Sequence, residues 1–291
     1  MSSFRGAMAA GMSMLAVVFT GAAWSQEKTV LTYSDTISES DPRARLIKEE
    51  FTQCLSAEFE FKPYLGATLY KQGTELAAIQ RGNLDMANPA IYDFFNQVPE
   101  TGIIGSAYLY RDFDHMRRVT SSGVLDELWN LVDERMGLKV LASPHNGTRH
   151  VGLKGKKKIM VPEDLAGVKL RMPGGEGWQF IGSALGANPT AMAFTEVYTG
   201  LQTGAIDAQD NPLVANKSMK FYEVMDQIVL TGHLIANNEL VISSAKWNSL
   251  SPEKQALLKD CAVKYQNRTD EVINAEEAGL VEFFRDAGLE V

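Results

Sequence analysis

Short apolar runs alternate with amphipathic stretches twice along this chain, and that alternation narrows the possible folds more than any other feature. Thr29–Tyr33 reads as a strand, Asp41-Pro42 opens a helix through Leu55, and Phe59–Tyr64 is again strand-like. Gln72–Arg81 predicts a helix, Leu84–Ala90 a short strand, Leu125–Met136 a helix and Leu138–Ser143 a strand. A second series runs strand Val168–Met172, helix Gly177–Leu185, helix Thr195–Thr203, strand Ala205–Asp207. Phe194, Val197, Tyr198 and Leu201 form the i, i+3, i+4, i+7 stripe of a helix packed on a sheet. Such alternation predicts α/β layers with mainly parallel sheets. Ser251-Pro252 caps a last helix whose apolar spacing persists to Phe284. A length of 291 residues fits two domains. With no repeat, low-complexity tract or long linker between the series, the two are expected to be intertwined.

The first residues predict export. Arg5 supplies one positive charge, Gly6–Thr20 is uncharged and mostly apolar, and Ala23-Trp24-Ser25 places small residues before a cut at Gln26. Fifteen residues fall short of the ~20 that a spanning helix needs. The expected product is a 266-residue chain in a bacterial periplasm, carrying a formal charge of −9 against −8 for the whole chain. That acidity argues against a nucleic-acid partner. In an oxidising compartment Cys54 and Cys261 either pair or remain two buried thiols, and their spacing does not decide between these.

No motif of catalysis stands out. Pro173-Gly-Gly-Glu-Gly177 lacks the Lys-Ser/Thr of a phosphate loop and reads as a turn into a helix. Lys154, Lys156, Lys157 and Lys158 read as a solvated loop, and Asn146-Gly147-Thr148 as a chance sequon. His145 and His150, five apart, suit neither a helical nor a strand face for metal ligands. Glu196, Asp207 and Asp210 have no nucleophile motif beside them. No enzyme, metal or cofactor is expected.

Two arginines are placed where strands should end. Arg171 follows Val168–Leu170 just before the chain turns at Pro173, and Arg149 follows Asn146-Gly147 in a strand-like segment. Ligands of α/β folds collect at the C-terminal ends of strands, where a guanidinium can grip a carboxylate or phosphate with two prongs. On residue type alone a structural salt bridge is the stronger alternative.

The segments Val168-Lys-Leu-Arg-Met-Pro173, Leu185-Gly-Ala-Asn-Pro-Thr190, Phe194-Thr-Glu-Val-Tyr198, Leu201-Gln-Thr-Gly204 and Asp207-Ala-Gln-Asp-Asn-Pro212 together resemble one family. So do Lys220-Phe-Tyr-Glu-Val224 and Thr231-Gly-His233. The family is that of the periplasmic solute-binding subunits of TRAP transporters (DctP). Asn146-Gly-Thr-Arg149 resembles its sialic-acid and sugar-acid binders.

The resemblance implies a two-lobed α/β binding-protein fold with hinge strands and a long lobe-bridging helix. Expected bounds are 1–25 for the signal peptide, 26–146 with 237–276 for lobe I, and 147–236 with 277–291 for lobe II. It implies a receptor that binds a small organic acid, C4-dicarboxylate-like or a sugar acid, and delivers it to TRAP membrane permease subunits. A monomer is expected; an exported enzyme on small carboxylates and a chemoreceptor partner are the alternatives. Arg171 matches the arginine that pairs with the ligand carboxylate, Asn211 the amide that assists, Arg149 a second ligand arginine, and Phe194 an aromatic wall. The lobe I wall is expected near Gln72, Asn88 and Ala90. Sialic-acid binders place a carboxylate near Ala90; its absence here points to a smaller acid. The resemblance also implies further helices after Leu289-Glu-Val291, so the end reads as truncated or differently packed.

Overall fold

Leu31 and Tyr33, two residues apart, are fully buried on strand β1 (Thr29–Ser34), the period-two pattern of a strand with one face on a core. The computed structural model describes residues 27–291, so the export signal over residues 1–25 and its cut lie outside the described residues. The remaining strands are β2 (Phe59–Tyr64), β3 (Met86–Ala87), β4 (Leu138–Ala142), β5 (His145–Leu153), β6 (Lys169–Met172), β7 (Asn188–Ala191), β8 (Ala208–Pro212), β9 (Gln227–Asn237) and β10 (Leu240–Ser243). They form two five-stranded sheets, ordered β2-β1-β3-β10-β4 and β7-β6-β8-β5-β9. Each sheet is the centre of one lobe of an α/β fold.

The sheets are mixed rather than mainly parallel, which corrects the pattern-based expectation. β1 pairs in parallel with β2 and β3, but β10 runs antiparallel to β3 and β4. β6 pairs in parallel with β7 and β8, but β5 runs antiparallel to β8 and β9. The cause is the exchange between lobes. The chain leaves the first sheet along β4 into β5 and returns along β9 into β10, and the strands at these crossings pair antiparallel to their neighbours. Strand boundaries shift for a related reason. The strand expected at Ala205–Asp207 begins instead at Ala208, because Gly204 caps the preceding helix in the left-handed conformation and residues 205–207 turn the chain. β8 therefore carries the buried polar run Gln209-Asp210-Asn211, which has no strand-like alternation.

The helix Pro252–Asp286 ties the lobes together. Ser251 caps it by accepting from Lys254 N, with Pro252 in the first turn. Its Leu258, Cys261, Ala262 and Tyr265 pack into the first lobe's core beside Phe51 and Leu55. Its Ile273, Leu280 and Phe284 pack into the second lobe's core beside Phe221. A third apolar cluster joins the lobes, with Tyr92 against Trp178 at 4.9 Å between ring centroids. Cys54 and Cys261 form a disulfide, Cα–Cα 5.8 Å, which decides between the two readings of the pair. It fastens the long helix to the helical stretch 42–55, which makes a π-helical turn over Leu46–Phe51. No helix among the described residues is long and apolar enough to cross a membrane.

Candidate functional site

The strand ends converge on one cleft. β1 and β3 are parallel, so the residues after them, Asp35 and Asn88, emerge at the same edge of the first sheet. In the second sheet β6 and β8 are parallel and β5 is antiparallel, with Arg149 opposite Pro212. The start of β5 therefore shares an edge with the ends of β6 and β8, and Arg149, Arg171 and Asn211 meet although they lie far apart in sequence. The two edges face each other across a narrow cleft lined from both lobes.

Arg171 is completely buried immediately behind the cleft wall. Its Nε donates to Met192 O at 2.8 Å and its Nη2 to Gln72 Oε1 at 2.7 Å. Both acceptors are neutral, and Nη1 finds no hydrogen-bond partner among the described residues. Burial, reinforced by the nearby Arg149, pushes the Arg171 guanidinium down to about 9. A buried cation without a carboxylate calls for an anion.

Arg149 differs. It is buried, lines the cleft, and pairs with Asp210 through Nε at 3.0 Å to Oδ1, while its guanidinium stacks 4.7 Å from the Trp178 ring centroid. Burial alone would raise the Asp210 carboxyl, but Arg149 and His233 outweigh it and hold Asp210 well below the ordinary range. The salt-bridge alternative thus describes Arg149 and not Arg171.

The other sequence-derived residues gather round this pair. Phe194 lines the cleft, its ring 5.9 Å from the Arg171 guanidinium, and its backbone N–H donates to Gln72 Oε1 at 2.9 Å. Gln72 was expected inside a helix from Gln72 to Arg81; the helix begins only at Glu75, and the freed turn lets Gln72 reach across to the second lobe. Asn211 lines the cleft with one amide N–H on Gln209 Oε1 at 2.6 Å, leaving its second N–H for another acceptor. Asn88 and Ala90 line the first-lobe wall.

One expectation about that wall fails. Ala90 does have a carboxylate beside it: Asp93, three residues on, accepts from Ala90 N at 2.9 Å and lines the cleft. Asp35, Glu75 and Arg43 also line it and were not anticipated. Arg43 is neutralised by Asp41 at 2.6 Å, and Asp35 accepts from Tyr33 Oη at 2.5 Å and Ile37 N at 3.2 Å. Burial pushes the carboxyl of Glu75 up to about 8 and that of Asp93 up to about 6. None of these had a motif around it; they become neighbours only when the separate segments of the first lobe fold together.

The two histidines weighed as metal ligands point to separate tasks. The His145 ring lies 4.8 Å from Phe113, and His150 Nδ1 accepts from Gly232 N at 3.0 Å. Gly147, between them, sits at φ 109° with its Cβ direction blocked by Pro212 at 2.7 Å and Glu277 at 2.8 Å, so the turn into β5 admits no side chain.

Residues 34–291 match the family model described as bacterial extracellular solute-binding protein, family 7 (DctP). The chain is 30% identical over 252 residues to the sialic acid-binding periplasmic protein SiaP of Vibrio cholerae, spanning 85% of this chain and 77% of that one. It is 32% identical to the 2,3-diketo-L-gulonate-binding periplasmic protein YiaO of Escherichia coli, over 80% of this chain and 71% of the other. A TRAP periplasmic solute-binding protein from Roseobacter denitrificans, solved with bound 3-deoxy-D-manno-oct-2-ulosonic acid, superposes with TM-score 0.88 at 39% identity, covering 91% and 88% of the two chains.

Proposed function

Because the chain belongs to the bacterial extracellular solute-binding protein family 7, DctP, we propose that its cleft captures the carboxylate of a small organic acid on Arg171. The receptor presents that acid to TRAP membrane permease subunits and performs no chemistry on it. The observation that carries the site assignment is the state of Arg171: fully buried, bonded only to neutral oxygens, with Nη1 unpartnered among the described residues. A ligand carboxylate would complete its fork, with the Asn211 amide beside it and Phe194 as the apolar wall. Arg149, tied to Asp210, contributes field and shape more than a free prong. Gln72 Oε1 now accepts from both Arg171 and Phe194, the two donors a carboxylate oxygen would use.

The lobes are taken as 26–146 with 237–276 and 147–236 with 277–291, a division in keeping with sheet membership. Closure of one on the other would bury the ligand, and the ligand shifts that balance only through its preference for the closed state. The relatives' periplasmic names support export by residues 1–25, cut before Gln26. The acidic chain is taken to act as a monomer and to bind no nucleic acid. A thermal-shift screen against organic and sugar acids tests the reading, because a ligand of the folded closed state raises the melting temperature. A response to no acid in the screen would overturn it.

A further inference from the structure

The wall opposite Arg171 has the reverse hydrogen-bonding character. Asp35, Glu75 and Asp93 all line the cleft from the first lobe, and burial, reinforced by Asp93 and Asp35, favours the protonated carboxyl of Glu75. Between them Asn88, 6% exposed, has an Oδ1 without a partner among the described residues, its amide nitrogen being turned toward Asp35 at 3.4 Å. Asn238, also lining the cleft, is in the same state: its nitrogen donates to Asn88 O at 2.9 Å and its buried Oδ1 has no partner among the described residues. These are acceptors awaiting donors. A carboxylate has none to offer; a hydroxyl has one.

Resting on the proposed solute-receptor reading, we infer that Asn88 and Asn238 select ligands whose far end is polyhydroxylated, and reject acids with a second carboxylate. A dicarboxylate gripped by Arg171 would bring its other carboxylate against the unpaired carbonyl oxygens of Asn88 and Asn238, whereas a chain of hydroxyls would donate to them. Discrimination therefore comes from repulsion of the wrong ligand as much as attraction of the right one. Sites that hydrogen-bond a hydroxyl reject analogues lacking it strongly, because their own buried groups are left unpaired. The ligand class is a sugar acid rather than a C4-dicarboxylate.

Calorimetric titration at neutral pH with D-gluconate, D-galacturonate, 3-deoxy-D-manno-oct-2-ulosonate, succinate and fumarate tests this. The best sugar acid should bind at least tenfold, and about 100-fold, more tightly than either dicarboxylate. Asn88→Leu should shrink that ratio at least tenfold, by weakening the sugar acid and by easing entry of the dicarboxylates. Asn238→Leu, which removes the second unpaired carbonyl oxygen, serves the same purpose if Asn88→Leu does not fold. Succinate or fumarate within tenfold of the best sugar acid would overturn the inference and leave the receptor reading standing. Silence from all five acids would remove both.

Discussion

Gln72, on the first lobe, holds Arg171, on the second, at 2.7 Å. Among the described residues, the one side chain across the cleft that answers the buried guanidinium is thus a neutral amide. Arg171, answered by neutral oxygens, and Arg149, paired with Asp210, can therefore be told apart experimentally.

Arg171→Ala should abolish most affinity for the cognate acid. Truncating one member of a buried charged pair costs about 2–5 kcal/mol, roughly 30- to several-thousand-fold. Arg171→Lys should recover only part, since a point charge lacks the fork. Stability should hold, because burial disfavours the charged form in the folded protein. Calorimetry together with a denaturant midpoint reads both; an unchanged dissociation constant in folded Arg171→Ala would end the assignment.

Arg149→Ala should act the other way round. It strands Asp210, fully buried, with only His233 at 3.3 Å for compensation. Breaking such a pair costs about 3–5 kcal/mol. Chemical denaturation should show that loss before any binding assay does, and a variant as stable as its parent would contradict the ion-pair role.

Gly177→Ala should hinder closure. A Cβ there would lie 2.5 Å from Tyr92 Cδ1 of the opposite lobe, although the helix itself would welcome alanine. Ligand affinity should drop about tenfold or more by the ~1.4 kcal/mol-per-decade rule, with no loss of melting temperature in the ligand-free protein. Equal affinities would show that the lobes need not approach so closely.

Reducing Cys54–Cys261, or replacing both by alanine, should lower stability by about 2–5 kcal/mol, with ligand selectivity retained. The two half-cystines join elements of one lobe and line no part of the cleft. Urea midpoints with and without reductant would measure it.

Glu239 gives a pH signature. Burial between β9 and β10 pushes its carboxyl up to about 8, against an ordinary 4.5. Between those values the folded protein holds the proton more tightly than the unfolded chain, so this group's contribution to stability declines as pH rises from about 4.5 to about 8. Glu239→Gln should flatten that decline between pH 5 and pH 8, measured by urea midpoints. An unaltered slope would mean that other groups, Glu75 among them, govern it.

The lobes and most elements were legible because burial on one face writes itself as periodicity: Leu31 and Tyr33, or Val197 and Leu201. β8 was misplaced because its buried residues are polar and satisfied by one another, a pattern that periodicity cannot register. Six cleft residues were legible through resemblance to known binders. Asp35, Glu75, Asp93 and Arg43 were not, since carboxylates and arginines at the ends of strands and in short helices look like solvated surface until another chain segment closes over them. Likewise the disulfide needed proximity in space, which 207 residues of separation conceal.

The long helix Pro252–Asp286 is fastened at Cys261 to the first lobe and buried by Ile273 in the second. Only about 18 Å of helix separates these anchors. Within it Gln266 accepts from Ser143 N at 2.9 Å and Asp270 from His145 N at 2.8 Å, both at the crossing from β4 to β5. A rotation of one lobe against the other would act on this segment as well as on the strand crossings, as flexure of a single stiff rod or by parting those two bonds. On the proposed closure, capture and release of solute would be a mechanical cycle, with the helix as leaf spring and the disulfide as its clamp.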